Sequence, residues 1–288
     1  MVVCRDSRLR SSFHRVPAII FLIVTASSLG SCPAYAGTWT QDAQHGQIIV
    51  SASYFETSHV FSSDGQIQPF GYRGRFQQIQ LNPYFEYGLT SRTTLVVNSW
   101  AQHLHYADQY HDYNSIGMGD VEVALRRRLN SLASPWAVSG QVLILFPAYS
   151  ATTTPAPGNH QEDFEGRALV GRNLSWRNAY WDAEAAYRYR TGAPADQFRA
   201  EAAAGFNAFA RAQFIGQFYV IKSMQNGTPL TPNGNPNAQS DFDLYKSEIS
   251  LVYRIHPRTK LQAGWIDAFS GRNTGHGNAA LIALWRSF

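Results

Sequence analysis

Residues 179–190 read AYWDAEAAYRYR. Trp181, Ala183, Ala185, Tyr187 and Tyr189 fall on one parity, and Asp182, Glu184, Arg188 and Arg190 on the other. A period of two belongs to an extended strand, whose successive side chains point to opposite faces. Here one face is aromatic and the other carries full charges. A soluble sandwich also alternates, but its apolar face is the inner one.

The rhythm recurs along the chain. In residues 77–87, Ile79, Leu81, Phe85 and Tyr87 oppose Gln78, Gln80, Asn82 and Glu86. In residues 120–129, Val121, Val123, Leu125 and Leu129 oppose Asp120, Glu122, Arg126 and Arg128. Alternating segments of about ten residues, separated by turn residues, are the pattern of a membrane-spanning β-barrel. Strands are expected near 46–55, 76–87, 93–105, 119–129, 137–147, 165–175, 179–191, 197–207, 211–223, 243–255, 260–269 and 278–288. The fold class is therefore all-β, a monomeric 12-stranded antiparallel transmembrane barrel of outer-membrane type, with the even strand number of bacterial single-chain barrels.

The connections alternate in length. Residues 56–75, 106–118, 148–164 and 224–242 are long, whereas 88–92, 130–136, 176–178 and 256–259 are short. Long loops face the exterior and short turns the periplasm in such barrels, which puts both termini on the periplasmic side. Residues 152–160 (TTTPAPGNH), 226–239 (NGTPLTPNGNPNAQ) and 270–277 (SGRNTGHG) read as mobile loops, because they hold little apolar surface to offset ordering entropy. Trp100, Trp136, Trp176, Trp181, Trp265 and Trp285 sit near strand ends, where interfacial aromatic girdles are expected.

The N-terminus has the build of a secretory leader. Arg5, Arg8, Arg10 and Arg15 precede a short apolar core, residues 17–29 (PAIIFLIVTASSL), and Ala34-Tyr35-Ala36 fits a small-x-small cleavage site. The core falls short of the roughly 20 apolar residues that a helical span needs. Residues 1–36 are therefore expected to be a signal peptide and 37–288 the barrel. Leu29-Gly30-Ser31-Cys32 resembles a lipidation site and offers a rival cut, but a barrel is held by its own wall and needs no acyl anchor. Cleavage after Ala36 removes both cysteines, Cys4 and Cys32, and with them any disulfide, thiolate metal site or cysteine nucleophile. The leader's four Arg against Asp6 carry +3 of the whole-chain charge of +4, leaving +1, so a nucleic-acid partner loses its support.

At the other end, Ala280, Ile282 and Leu284 alternate with Trp285 and Ser287 up to the terminal Phe288. An exported chain ending in an aromatic strand is expected to engage the barrel assembly machinery through it and to meet outer-membrane lipid along its wall.

Two segments carry a family resemblance. Residues 82–95 (NPYFEYGLTSRTTL) contain Glu86-Tyr87-Gly88-Leu89-Thr90, and residues 115–129 (SIGMGDVEVALRRRL) contain Gly117-Met118-Gly119-Asp120-Val121. Both resemble the strand–turn–strand and glycine-rich strand start of the outer-membrane proteins of the phenol-degradation meta-pathway family, also described as transporters. The resemblance implies a monomeric barrel that passes small, often aromatic or hydrophobic compounds. Gly88 also suits a tight turn, and Gly117 and Gly119 suit re-entry of the chain into the wall.

Pointing the polar parity inward places Glu86, Asp120, Glu122, Asp182, Glu184, Glu201 and Glu248 in the lumen with Arg126, Arg128, Arg188, Arg190, Arg199, Lys246 and Arg254. Charges there must pair or be hydrated, since unpaired burial costs several kcal/mol. They could form a constriction that selects solutes or a set of braces. An eight-stranded interior is filled by side chains and a sixteen-stranded one conducts water, so twelve strands imply a narrow or partly plugged lumen.

Other chemistry finds little support. His103-Leu104-His105 with Asp108, His111 and Asp112 offers imidazoles on one strand face, but nothing fixes the remaining ligands, and no metal or cofactor is expected. The outer-membrane phospholipases need a His–Ser pair, and Asn159-His160-Gln161-Glu162 has Glu where Ser is required. Ser150 and Thr154 lack a positioned base. No enzyme is expected. Passive passage of small solutes is the first functional expectation, a non-conducting structural or surface-interaction barrel the second, and a lipid-modifying enzyme the third.

Overall fold

The computed structural model describes residues 37–228 and 234–288. The expected leader, its cleavage point and the rival Cys32 lie outside the described residues.

Twelve long strands form the wall: β1 (Gly46–Phe61), β3 (Arg75–Thr90), β4 (Thr93–Ala107), β5 (Asp112–Arg128), β6 (Trp136–Pro147), β7 (Asp163–Asn173), β8 (Tyr180–Arg190), β9 (Gln197–Phe209), β10 (Ala212–Ser223), β11 (Asp243–His256), β12 (Thr259–Arg272) and β13 (Thr274–Ser287). A short β2 (Ile67–Pro69) pairs only with β1. Each wall strand runs antiparallel to its sequence neighbour, and β13 returns to β1 in a ladder from Gln47↔Ser287 to Phe61↔Thr274. Gly46 N donates to Phe288 O at 3.1 Å and Phe288 N to Gly46 O at 3.0 Å, which continues the closure to the last residue. A closed sheet leaves no edge of unpaired backbone groups, the condition for a β-structure to sit in lipid. Among the described residues no helix is long and apolar enough to cross a membrane.

The burial alternates as the sequence does. Along β6, Val138, Val142, Ile144 and Phe146 are exposed, whereas Ala137, Ser139, Gln141, Leu143 and Leu145 are buried. Val142, Ile249 and Ile282, from three separate strands, are 65–69 % exposed. An apolar outer face on strand after strand exceeds the few-hundred-Å² patches that soluble monomers expose, and it fits hydrocarbon rather than water. β-Branched and aromatic residues suit that surface and favour the extended backbone as well.

The start of β1, the end of β13 and the short turns between β3 and β4, β5 and β6, β7 and β8, β9 and β10, and β11 and β12 gather at one end of the wall, here called the termini end. At the opposite, loop end the structure corrects three expectations. Residues 270–277 are not a loop: β12 runs to Arg272 and β13 starts at Thr274, leaving Asn273 (φ 52°) as the turn. Asparagine tolerates that left-handed backbone, and the glycines around it are absorbed in pairing: Gly271 with Leu244 of β11, Gly275 with Val60 of β1 and Gly277 with Ala268 of β12. Likewise β5 already starts at Asp112 and β1 continues to Phe61, because ladder bonds satisfy the backbone even where side chains are polar on both faces. Residues 148–162 and the described part of 224–242 fold inward and meet. Asn235 Nδ2 donates to Ala156 O at 2.9 Å, Asn159 Nδ2 to Gln239 O at 3.0 Å, and Ser115 Oγ to Pro155 O at 2.7 Å. Pro155 is fully buried beneath them. Side-chain bonds to backbone carbonyls tie the described residues of the two loops together.

Candidate functional site: a charged lumen between a strap and two loops

Residues 37–45 precede β1 and turn into the barrel at the termini end as a strap. Ser139 Oγ donates to Thr38 O at 2.6 Å, Arg126 Nη1 to Trp39 O at 3.2 Å, and Gln41 Nε2 to Glu86 Oε2 at 2.6 Å. Trp39 meets the Tyr180 ring edge-on at 5.8 Å. The wall is shaped for this contact: a Cβ added to Gly171 would lie 2.9 Å from Trp39, and one on Gly205 would lie 2.4 Å from the Tyr180 ring. Glycine there gives the aromatic pair its space.

Above the strap lies a cavity of about 670 Å³, bounded by Gly37 at the termini end and by Pro157, Asn235 and Asn237 at the loop end. One arc of its wall is ionic. Arg167 of β7 binds Glu165 (2.8 Å), Glu184 (2.5 Å) and Glu201 (3.3 Å). Arg188 of β8 binds Glu122 and Glu165, both at 2.8 Å, with Asp163 at 3.7 Å. Arg199 stands 3.7 Å from Glu165, which is thus shared among three guanidiniums. Asp120 faces the cavity where Tyr149 and Gly158 of the inward loop approach it.

The opposite arc, on β10–β13 and β1, is mixed. Ile49, Ile215, Val252, Ala283 and Trp285 pack as one apolar cluster. Trp285 Nε1 donates to Gln262 Oε1 at 2.8 Å, and Gln262 Nε2 to Glu248 Oε1 at 3.0 Å. The Lys246 ammonium sits 4.7 Å from the centre of the Tyr219 ring, within cation–π range.

The remaining inward-parity residues take other places. Glu86 is sealed beneath the strap, bound to Arg126 Nη1 at 2.8 Å. Arg128 braces the β5–β6 turn through Asn130 Oδ1 (2.5 Å) and Trp136 O (2.6 Å). The backbone N–H of Arg190 donates to Asp196 Oδ1 at 2.8 Å in the β8–β9 connection, and its Nε lies 3.8 Å from Asp163. Arg254 is exposed at the termini end, donating to Ala210 O at 2.8 Å. Sequence reasoning passed over Asp163, Glu165 and Arg167. Their partners in alternation are Phe164, Gly166 and Ala168, so the apolar face that identifies a strand was weak there; the spacing of charges at 163, 165 and 167 was the available signal.

Two tryptophans expected in the girdle face inward. Trp285 is 8 % exposed within the apolar arc, and Trp100 lies on the cavity wall. Both fall on the lumen parity of their strands. Trp136 and Trp181 do lie together at the termini end, 5.6 Å apart, and Trp176 and Trp265 are exposed. The histidines are dispersed among separate partners: His103 Nε2 with Asn114 Oδ1 (2.9 Å), His105 Nε2 with Asp112 Oδ1 (2.9 Å), and His111 Nδ1 with Asp108 Oδ1 (3.2 Å). Among the described residues, no group of three or more His, Cys, Asp or Glu is placed to hold a metal. Ser150 Oγ bonds Thr152 Oγ1 at 2.9 Å, while the backbone N–H of His160 donates to Tyr149 Oη at 2.8 Å.

No family model matches the chain, and no curated protein matches it. Among solved structures, the chain is similar to an outer membrane channel from Pseudomonas putida F1, with a TM-score of 0.65 and 12 % identity over 89 % of this chain and 100 % of that one. It is also similar to the NanC porin (TM-score 0.49, 10 % identity, 82 % and 98 % covered) and to the CymD monoaromatic hydrocarbon channel (0.44, 10 %, 85 % and 89 %). At such identities a likeness speaks for fold alone, and the first of them does so: this is a closed barrel of the outer-membrane type.

Proposed function

We propose that this chain is a monomeric outer-membrane channel for the passive passage of small solutes. In this reading the leader, residues 1–36, exports it, the assembly machinery reads the final strand ending in Phe288, and both termini face the periplasm. The observation that carries the proposal is the cavity of about 670 Å³ between strap and loops, a size suited to one small molecule. Its two arcs differ in kind. Ionic residues around Arg167 and Arg188 face an arc holding Ile215, Tyr219 and Trp285. A solute with a flat apolar body and a polar substituent would match both, in line with the resemblance to the phenol meta-pathway family. The constriction is assigned to Asp120, Glu122, Asp182, Glu184, Glu201, Arg188, Arg199, Lys246 and Glu248 with Arg167; Glu86, Arg126, Arg128, Arg190 and Arg254 are assigned as braces around it.

A second reading has its own support. The strap at Gly37 and the inward loops at Pro157 and Asn235 bound the cavity at its two ends, as a non-conducting barrel would have them. Conductance of the purified protein in planar bilayers, together with liposome swelling in small phenols and in sugars, separates the two. Swelling that is faster than that of protein-free liposomes in the same solute supports the channel. A closed record without swelling supports the non-conducting barrel.

A further inference from the structure

Asp182 of β8 is 5 % exposed, and its Oδ2 has no hydrogen-bond partner among the described residues. A buried carboxylate oxygen in that state is expensive, and native structures rarely leave one. The cations nearby are engaged elsewhere. Arg126 is bound to Glu86 at 2.8 Å, and Arg167 serves Glu184 and Glu201, which themselves add negative charge to the neighbourhood. What Asp182 does face is the start of the strap. A carbon built on the Gly37 α-carbon would lie 3.1 Å from Asp182 Oδ1 and 3.2 Å from Oδ2. Gly37 is also the residue that cleavage after Ala36 would make the first of the mature chain.

We propose that the α-ammonium released at Gly37 by that cleavage is the missing counter-ion of Asp182, so that processing of the leader both creates the charge and fastens the strap in the lumen. The ammonium is bonded to the same α-carbon against which the carboxylate rests, and it brings three donors to an acceptor that lacks one. Hydrolysis of the Ala36–Gly37 peptide bond consumes one water, leaves the carboxylate on Ala36 and leaves the amine on Gly37, which is protonated at neutral pH. A side chain at residue 37 would meet the Asp182 carboxylate, so glycine leaves it room to approach. An N-terminus at Cys32, or any residue left ahead of Gly37, would move the charge away and leave an uncharged amide in its place. The inference is independent of whether the barrel conducts.

The test uses protein exported from the full-length precursor and purified from outer membranes. Intact mass should place the N-terminus at Gly37. Acylation of the N-terminal amine at pH 7 by an amine-reactive ester should be at least tenfold slower in the wild type than in Asp182→Asn, a substitution of equal shape that abolishes the pairing. Inserting Ala-Ser between Ala36 and Gly37 should give an amine that labels fast, and adding Asp182→Asn to that insertion should change nothing more. Should Asp182→Asn fail to accumulate, the insertion alone against the wild type decides. Equal labelling of wild type and variant, or an N-terminus found at any other residue, overturns the proposal.

Discussion

Glu184 of β8 and Glu201 of β9 stand directly opposite one another in the ladder, and the Arg167 guanidinium of β7 reaches both. Like charges facing each other across a sheet destabilise it unless a cation lies between them. Arg167 supplies that cation and binds Glu165 as well. Arg167→Met is therefore expected to lower the stability of the folded barrel by roughly 3–5 kcal/mol, the scale for removing one partner of a buried ion pair. Urea titration in detergent micelles measures it. Arg167→Met with Glu184→Gln should recover part of the loss, since one uncompensated charge goes with it. If the barrel conducts, the single variant should also shift its reversal potential toward cation preference.

Gly171 and Trp39 define the closure at the termini end. A Cβ at residue 171 would lie 2.9 Å from Trp39, 3.2 Å from Thr38 Oγ1 and 3.1 Å from Cβ of Asp182, its ladder partner on β8, which must give by a few tenths of an ångström. Gly171→Val is thus expected to expel the strap while leaving the β6–β7–β8 ladder intact, because valine favours extended backbone. Conductance should rise several-fold in planar bilayers, with thermal stability of the wall little changed. An unchanged conductance would mean that the strap is not what limits passage.

The wall was legible in the sequence because its two faces meet different solvents. Tyr187 and Tyr189 against Arg188 and Arg190 can only alternate between lipid and lumen, so β8 and its neighbours followed from parity. β7 was placed but its chemistry was missed, since Gly166 and Ala168 give an outer face too faint to mark Glu165 and Arg167 as inner. The strap carries no periodicity at all: residues 37–45 (GTWTQDAQH) are ordered by Ser139, Arg126 and Glu86, partners far away in sequence. The turn at Asn273 was hidden for a related reason. Glycines read as a loop, yet they sit within ladders whose backbone bonds are indifferent to side chains.

The closure at the loop end rests on amide side chains. Asn235 Nδ2 holds Ala156 O and Asn159 Nδ2 holds Gln239 O, which tie the two inward loops together. A lost hydrogen bond of this kind costs about 0.5–1.5 kcal/mol. Asn235→Ala with Asn159→Ala should therefore loosen the loops without unfolding the barrel. Protease cleavage within residues 148–162 should become faster in the double variant, read by mass spectrometry of intact outer-membrane vesicles. Equal cleavage would show that the loops are held by other contacts.

Asp241 gives the loop end a dependence on pH. It lies in the β10–β11 connection, where Arg272 Nη2 donates to its Oδ1 at 2.6 Å and Nη1 to its Oδ2 at 3.2 Å. That hydrogen bonding holds its carboxyl below the ordinary carboxylate value, with partial burial opposing it. A depressed folded-state pKa contributes stability that is fully present above the unfolded value, near 3.9, and is lost as pH falls through the folded one. The connection should stay docked at pH 5 and release only in stronger acid. Asp241→Asn should release it at every pH, while Arg272 keeps its second partner, Asp243, at 3.2 Å. Hydrogen exchange of residues 234–242, followed at pH 5 and pH 3 in wild type and variant, reads the difference directly. Protection in the variant equal to that of the wild type at pH 5 would remove Asp241 from the docking.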